Sequence, residues 1–176
     1  MLRRLWTPRK QPLAVNLEKL KAMPPDAVID VTPYDLQEER GRLWRGASLG
    51  ALALNLAAGD HKLNTRNYNR HADDNEIWFT TDYDGARGYA EDPNTRRQFT
   101  PQHAADLGAL TGVEVPDKLP TIVYSVEGTP KGVERVGDRG DYYFSTAPVP
   151  FQQMDPHSRA AVEEILGVQV PPPRGK

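Results

Sequence analysis

Residues 77–90 read IWFTTDYDGARGYA, and the change of period inside this stretch decides the fold class. Ile77 to Thr81 is a run of β-branched and aromatic side chains, the composition of a partly buried strand. Beyond it, Ala86 and Ala90 recur at helical spacing, and Asp82 or Asp84 is placed to cap that helix. Trp78 and Phe79 are adjacent on the strand, so they point to opposite faces and one of them belongs to the core.

The same reading extends outward. Upstream, LWRGAS at 43–48 contains a strand through Leu43 and Trp44 that ends at Arg45. A helix follows, with Ser48 as its N-cap, Leu49, Leu52 and Leu56 on one face, and Gly59 suited to its C-terminal end. The polar, aperiodic stretch 60–76 predicts a long surface loop. Near the start, Leu13, Leu17, Leu20 and Met23 predict a helix stopped by Pro24 and Pro25, and Val28, Ile29 and Val31 a short extended piece. Downstream come a short helix around His103–Leu110 and a strand with Ile122, Tyr124 and Val126 on alternate positions. An aromatic strand in DYYFS and an amphipathic helix in SRAAVEEILGV complete the pattern. The later strands lack regular intervening helices, so the order predicts α+β with a compact, mainly antiparallel β core and flanking helices.

Composition narrows the class. A chain of 176 residues suits one domain with a real core, read here as a single catalytic domain over 1–176 with mobile ends at 1–12 and 168–176. The net charge of −2 gives no bulk electrostatic case for nucleic acid as the main partner, despite Arg3, Arg4, Arg9 and Lys10 at the start. Cysteine is absent, so no disulfide or thiolate metal site is possible. No apolar run has membrane-spanning length, and no apolar core follows the basic N-terminus of a would-be signal peptide. The expectation is a protein without a membrane partner, cytoplasmic or exported to act in a target-cell cytoplasm. His61, His71, His103 and His157 show no metal spacing, Asp73, Asp74 and Glu76 lack a calcium-loop pattern, and no metal is expected.

Three segments carry chemistry. In LWRGAS, Arg45 offers a planar fork of donors matched to phosphate or ribose oxygens, and Gly46 lets the backbone approach what Arg45 binds. In WFTTDYDGARGYA, Thr80 and Thr81 end an aromatic strand before a small-faced helix carrying Tyr89. In RVGDRGDYYFSTAPVP, Asp141 follows a glycine turn at the head of a strand, with Glu134 and Asp138 as competing acids.

In this order the segments resemble the ADP-ribosyltransferase superfamily, in the branch that carries arginine first, a Ser/Thr strand second and an acid third, a branch rich in bacterial toxins. The resemblance covers roughly residues 42–154. It implies a split version of the β core and cleavage of the nicotinamide–ribose bond of NAD, with ADP-ribose passed to a macromolecular acceptor. The implied roles fall on Arg45 for the NAD phosphates or ribose, on Thr80 and Thr81 for the nicotinamide pocket, and on Asp141 for the ribose cation. Gly46, Trp78, Phe79, Tyr83 and Tyr89 complete the implied NAD site, the aromatics as stacking surfaces. NAD is then a substrate, so no dinucleotide fingerprint is needed, and none is visible. The expected partners are a protein or nucleic-acid acceptor and, for a toxin, a cognate immunity protein. The rival readings are an NAD glycohydrolase, with water as acceptor, and a protein-interaction module without catalysis.

Overall fold

Six consecutive residues, Leu43–Ser48, form β2, and all of them are buried. The strand has neighbours on both edges and helices over both faces, so every side chain meets protein whichever way it points. The structure is a computed structural model and describes residues 10–66, 76–93, 98–136 and 142–172. Around β2 lie α1 (Glu18–Ala22), β1 (Val28–Ile29), α2 (Tyr34–Gln37), α3 (Leu49–Ala58), β3 (Ile77–Thr80) and α4 (Tyr83–Glu91). Then come α5 (Pro101–Thr111), β4 (Thr121–Val126), β5 (Glu134–Arg135), β6 (Tyr142–Ser145), a 3-10 turn (Phe151–Gln153) and α6 (Pro156–Leu166).

The strands form one sheet in the order β1-β4-β2-β3-β6-β5. Only the β1–β4 pair is parallel, so the mainly antiparallel α+β expectation holds. The sheet is unevenly joined. β2 pairs with β4 over six rungs and β3 with β6 over four, but β2 and β3 meet at the single rung Trp44↔Thr80. Two ladders are therefore joined at one rung, a split in the pairing between β3 and the rest of β2.

Alternation along the strands sorts the side chains. Leu43, Arg45, Ala47, Ile122, Tyr124, Val126, Ile77 and Phe79 share one face. Most of them join the main core, covered by α3, α5 and α6. Trp44 and Val123 lie on the other face in a smaller cluster with Ala86 and Ala90 of α4. The helix α3 is buried all round, Leu54 included, rather than only along the predicted Leu49–Leu52–Leu56 face. Its caps are as read: Ser48 Oγ accepts the Ala51 N–H at 3.2 Å, and Gly59 takes the left-handed conformation at φ 92°.

Several sequence expectations need correction. The helix predicted over Leu13–Met23 shrinks to α1. The Gln11 and Leu13 N–H groups instead donate to the carbonyls of Gly59 and Leu56 at the C-terminal end of α3, where the Gly59 N–H also reaches Leu56. Gln11 and Leu13 thus bring the chain start against the end of α3. At the other end, Val170 is buried, its N–H donates to Glu163 Oε2, and Gln152 Nε2 donates to the Val170 and Pro171 carbonyls. Val170 and Pro171 thus contact α6 and the turn before it. The four-residue α2 is too short to display a period in the sequence. Asp82 stands at the α4 cap position without a side-chain cap bond, and its own N–H donates to Thr80 Oγ1.

Gly46 has a packing reason. A Cβ there would lie 2.5 Å from the Ala86 carbonyl oxygen and 2.7 Å from the Ala90 nitrogen, both helix backbone. The space that sequence reasoning gave to a ligand is filled by α4. Gly46→Ala is expected to cost about 2–3 kcal/mol, since overpacking against backbone has little room to relax. Thermal unfolding of the variant checks this, and an unchanged midpoint would contradict the close approach.

Candidate functional site

Arg45 sits at the start of the split. It is only 9% exposed although it carries a full charge on the core-facing side of the sheet. Its Nη1 donates to the Trp78 carbonyl of β3 at 3.1 Å. The side chain thus reaches across to β3 just where the β2–β3 ladder stops. Its Nε has no hydrogen-bond partner, and no carboxylate among the described residues pairs with it. Arg42, half-buried with a largely covered side chain, is treated differently: Glu39 and Glu127 lie 3.1 and 3.5 Å from its Nη2.

Directly opposite Arg45 on β4 stands Tyr124, fully buried, with a hydroxyl that makes no hydrogen bond. Burial pushes its phenol up to about 12, against the pull of the neighbouring guanidinium. Sequence reasoning gave Tyr124 only a strand position. The available signal was a phenol oxygen on a face otherwise built from Ile122 and Val126.

The remaining predicted residues do not all gather at Arg45. Thr80 is paired with Trp44 and so lies on the α4 face, opposite to Arg45, where its Oγ1 accepts the Asp82 N–H. Thr81, the next residue, is half-buried just past β3. Phe79 shares the Arg45 face but is packed in the main core, so no flat ring can stack on it. Trp78 is on the α4 face, 43% exposed, stacked on Phe144 with ring centroids 5.1 Å apart, and its Nε1 donates to Glu76. Tyr83 packs edge-on against Trp44, and its hydroxyl donates to Asp30, which also takes Arg87 Nη1 at 2.8 Å. That trio latches α4 to the segment after β1 and engages the Tyr83 hydroxyl, while the residue as a whole is half-buried. Tyr89 is exposed on α4.

Of the three candidate acids, Asp141 and Asp138 lie outside the described residues, as does His71. Glu134 is exposed on β5, opposite Phe144, which in turn is opposite Trp78. It therefore belongs to the α4 face, with Trp78 and Thr80 and away from Arg45. Among the described residues, no group of three or more His, Cys, Asp or Glu is placed to hold a metal ion, and no helix is long and apolar enough to cross a membrane.

His103 is a second buried polar group with a definite chemical state. Its Nε2 must donate to the Arg66 carbonyl at 2.7 Å, and its Nδ1 accepts the Thr100 N–H at 3.0 Å in a capping box at the start of α5. Desolvation lowers its pKa below the ordinary 6.5. The unfolded chain then takes up the proton before the folded one. The stabilising contribution is complete above the ordinary value and is lost as pH falls from there through the lowered one. The melting temperature is expected to fall more steeply below about pH 6.5 in wild type than in His103→Gln, which keeps the capping geometry without the titration. Parallel pH profiles of the two would contradict this.

No family model matches the chain, and no curated protein or solved structure does either.

Proposed function

We propose that this protein is an ADP-ribosyltransferase that cleaves the nicotinamide–ribose bond of NAD and transfers ADP-ribose to a macromolecular acceptor. The observation behind the reading is Arg45, a buried guanidinium beside the strand split with no carboxylate partner among the described residues. A buried cation is costly unless an anion or hydrogen bonds compensate it, and the two NAD phosphates supply both. The split offers the approach, since a regular ladder between β2 and β3 would close the sheet over the arginine's outer edge.

Of the two threonines, Thr81 is the one assigned to the substrate. It follows β3 directly and is half-buried, whereas Thr80 Oγ1 is engaged at the start of α4. The acid that stabilises the ribose cation is assigned to the segment leading into β6, with Asp141 as first candidate. The chemistry asks little else of the protein: fix the pyrophosphate, hold the ribose beside a carboxylate, and let nicotinamide leave.

Incubating the protein with NAD labelled in the adenylate and with cell lysate tests the proposal. Release of nicotinamide together with labelled macromolecules is expected. Free ADP-ribose without labelled macromolecules would indicate the glycohydrolase reading, and no nicotinamide release would overturn both. One observation favours a non-catalytic interaction module instead: the exposed aromatic row of Trp78 and Tyr142 beside Phe144 on the uncovered wing of the sheet. That reading gains only if nicotinamide release is absent.

A further inference from the structure

We infer that Tyr124 is a positioning residue for Arg45, its buried hydroxyl forming a second seat for the arginine Nε when the guanidinium leaves the Trp78 carbonyl to hold an anion. The inference rests on the proposed NAD site for its functional half, and on geometry alone for the contact between the two side chains.

Two adjacent orphans carry it. Tyr124 and Arg45 are register partners, the closest cross-strand relationship a sheet provides. Each has one buried polar atom without a partner, the phenol oxygen and the guanidinium Nε. One is an acceptor and the other a donor, so each answers the other's need. The two groups already sense one another, since the guanidinium favours the phenolate against burial. The guanidinium lies within reach of the phenol and helps pull it down, yet neither the Tyr124 hydroxyl nor Arg45 Nε has a partner of ordinary hydrogen-bond geometry while Nη1 is held on the Trp78 carbonyl.

A phenylalanine at this position would fill the same volume and avoid an unsatisfied hydroxyl, which costs about 1–3 kcal/mol when buried. The hydroxyl is therefore a poor choice for stability alone. Swinging Nε to Tyr124 frees Nη1 from β3 and turns both terminal nitrogens toward the split, the arrangement that a pair of phosphate oxygens accepts as a fork.

Tyr124→Phe separates this role from a structural one. The variant is expected to fold and to melt at or above the wild-type temperature. Its KM for NAD is expected to rise about tenfold with kcat within about twofold, the pattern of an interaction kept equally in ground and transition states. In an Arg45→Ala background the same change should have no further effect on KM, because there is no guanidinium left to seat.

A second arm needs no NAD and uses inorganic pyrophosphate as the anion. With isotope-labelled arginine side chains, the Arg45 Nε–H resonance, identified by its loss in Arg45→Ala, should shift when pyrophosphate is added to wild type and shift less in Tyr124→Phe. A resonance unmoved by pyrophosphate in wild type, or moved equally in both proteins, would overturn the inference whether or not NAD is turned over. A shifted resonance with a wild-type KM would remove the positioning role as well. No nicotinamide release by wild type, with the resonance shifted, would overturn the NAD site and with it the assigned anion, leaving only the contact.

Discussion

Asp155→Ala is expected to lower the unfolding free energy by about 4 kcal/mol, a large share of the 5–15 kcal/mol typical of a domain. Asp155 is fully buried and serves four donors. Its Oδ1 accepts the Ser158 N–H at 2.9 Å, capping α6, and its Oδ2 accepts Ser158 Oγ at 2.9 Å. The same Oδ2 accepts the Ser125 N–H at 3.0 Å and Ser125 Oγ at 3.1 Å, which fastens α6 to β4. Alanine would strand all four donors in the interior and remove the cap. Losing a cap alone costs about 1 kcal/mol, and each buried donor left bare adds a comparable amount or more. The charge is not isolated, because Arg42 Nη1 donates to Ser125 Oγ at 3.1 Å and sets a cation one residue away. Urea unfolding of wild type and variant measures the difference. A loss below about 1 kcal/mol would mean that water or a neighbouring group replaces the carboxylate at little cost.

Arg45→Ala is expected to reduce nicotinamide release about 10²–10³-fold, the usual effect of deleting one preorganised electrostatic contact. The variant should be no less stable than wild type. Wild type holds a buried charge with one described hydrogen bond to a carbonyl and no described carboxylate, so removing it relieves a desolvation cost while opening a cavity. The two effects oppose each other. That separation of stability from activity is the signature of a group kept for binding. Lysine is not an adequate substitute: its point charge lacks the planar fork, so Arg45→Lys should recover only a small part of the rate. An Arg45→Ala protein that unfolds readily and retains its turnover would assign the residue to the scaffold.

The fold was largely legible because its signals are local. The β run at 77–80, the capped helix between Ser48 and Gly59, and the alternation of Ile122, Tyr124 and Val126 all appear where the sequence places them. Asp155 carried a readable signal too. An aspartate followed by proline and, at the third position, Ser158 marks a helix start, which places α6 two residues earlier than the amphipathic pattern SRAAVEEILGV alone. The site was less legible because it depends on register. Thr80 and Arg45 look like members of one pocket when read in order. A single rung, Trp44↔Thr80, turns their side chains to opposite faces of the sheet. No local pattern encodes that pairing, since the partners are separated by a helix and a long connection. Gly46 shows the same limit: a glycine beside an arginine suggests ligand approach, but only the crossing of α4 explains the missing side chain. Phe79 was separable from Trp78 by alternation alone, which left open which of the two is core.

Calorimetric titration with NAD and, separately, with nicotinamide riboside most directly tests whether Arg45 holds phosphate. The two share the nicotinamide and its ribose and differ in the adenosine and the pyrophosphate. If the buried guanidinium grips the phosphates, wild type should bind NAD about a hundredfold more tightly than the riboside, and Arg45→Ala should erase most of that difference. Equal affinities in wild type, or a preference for NAD that survives in Arg45→Ala, would contradict the account.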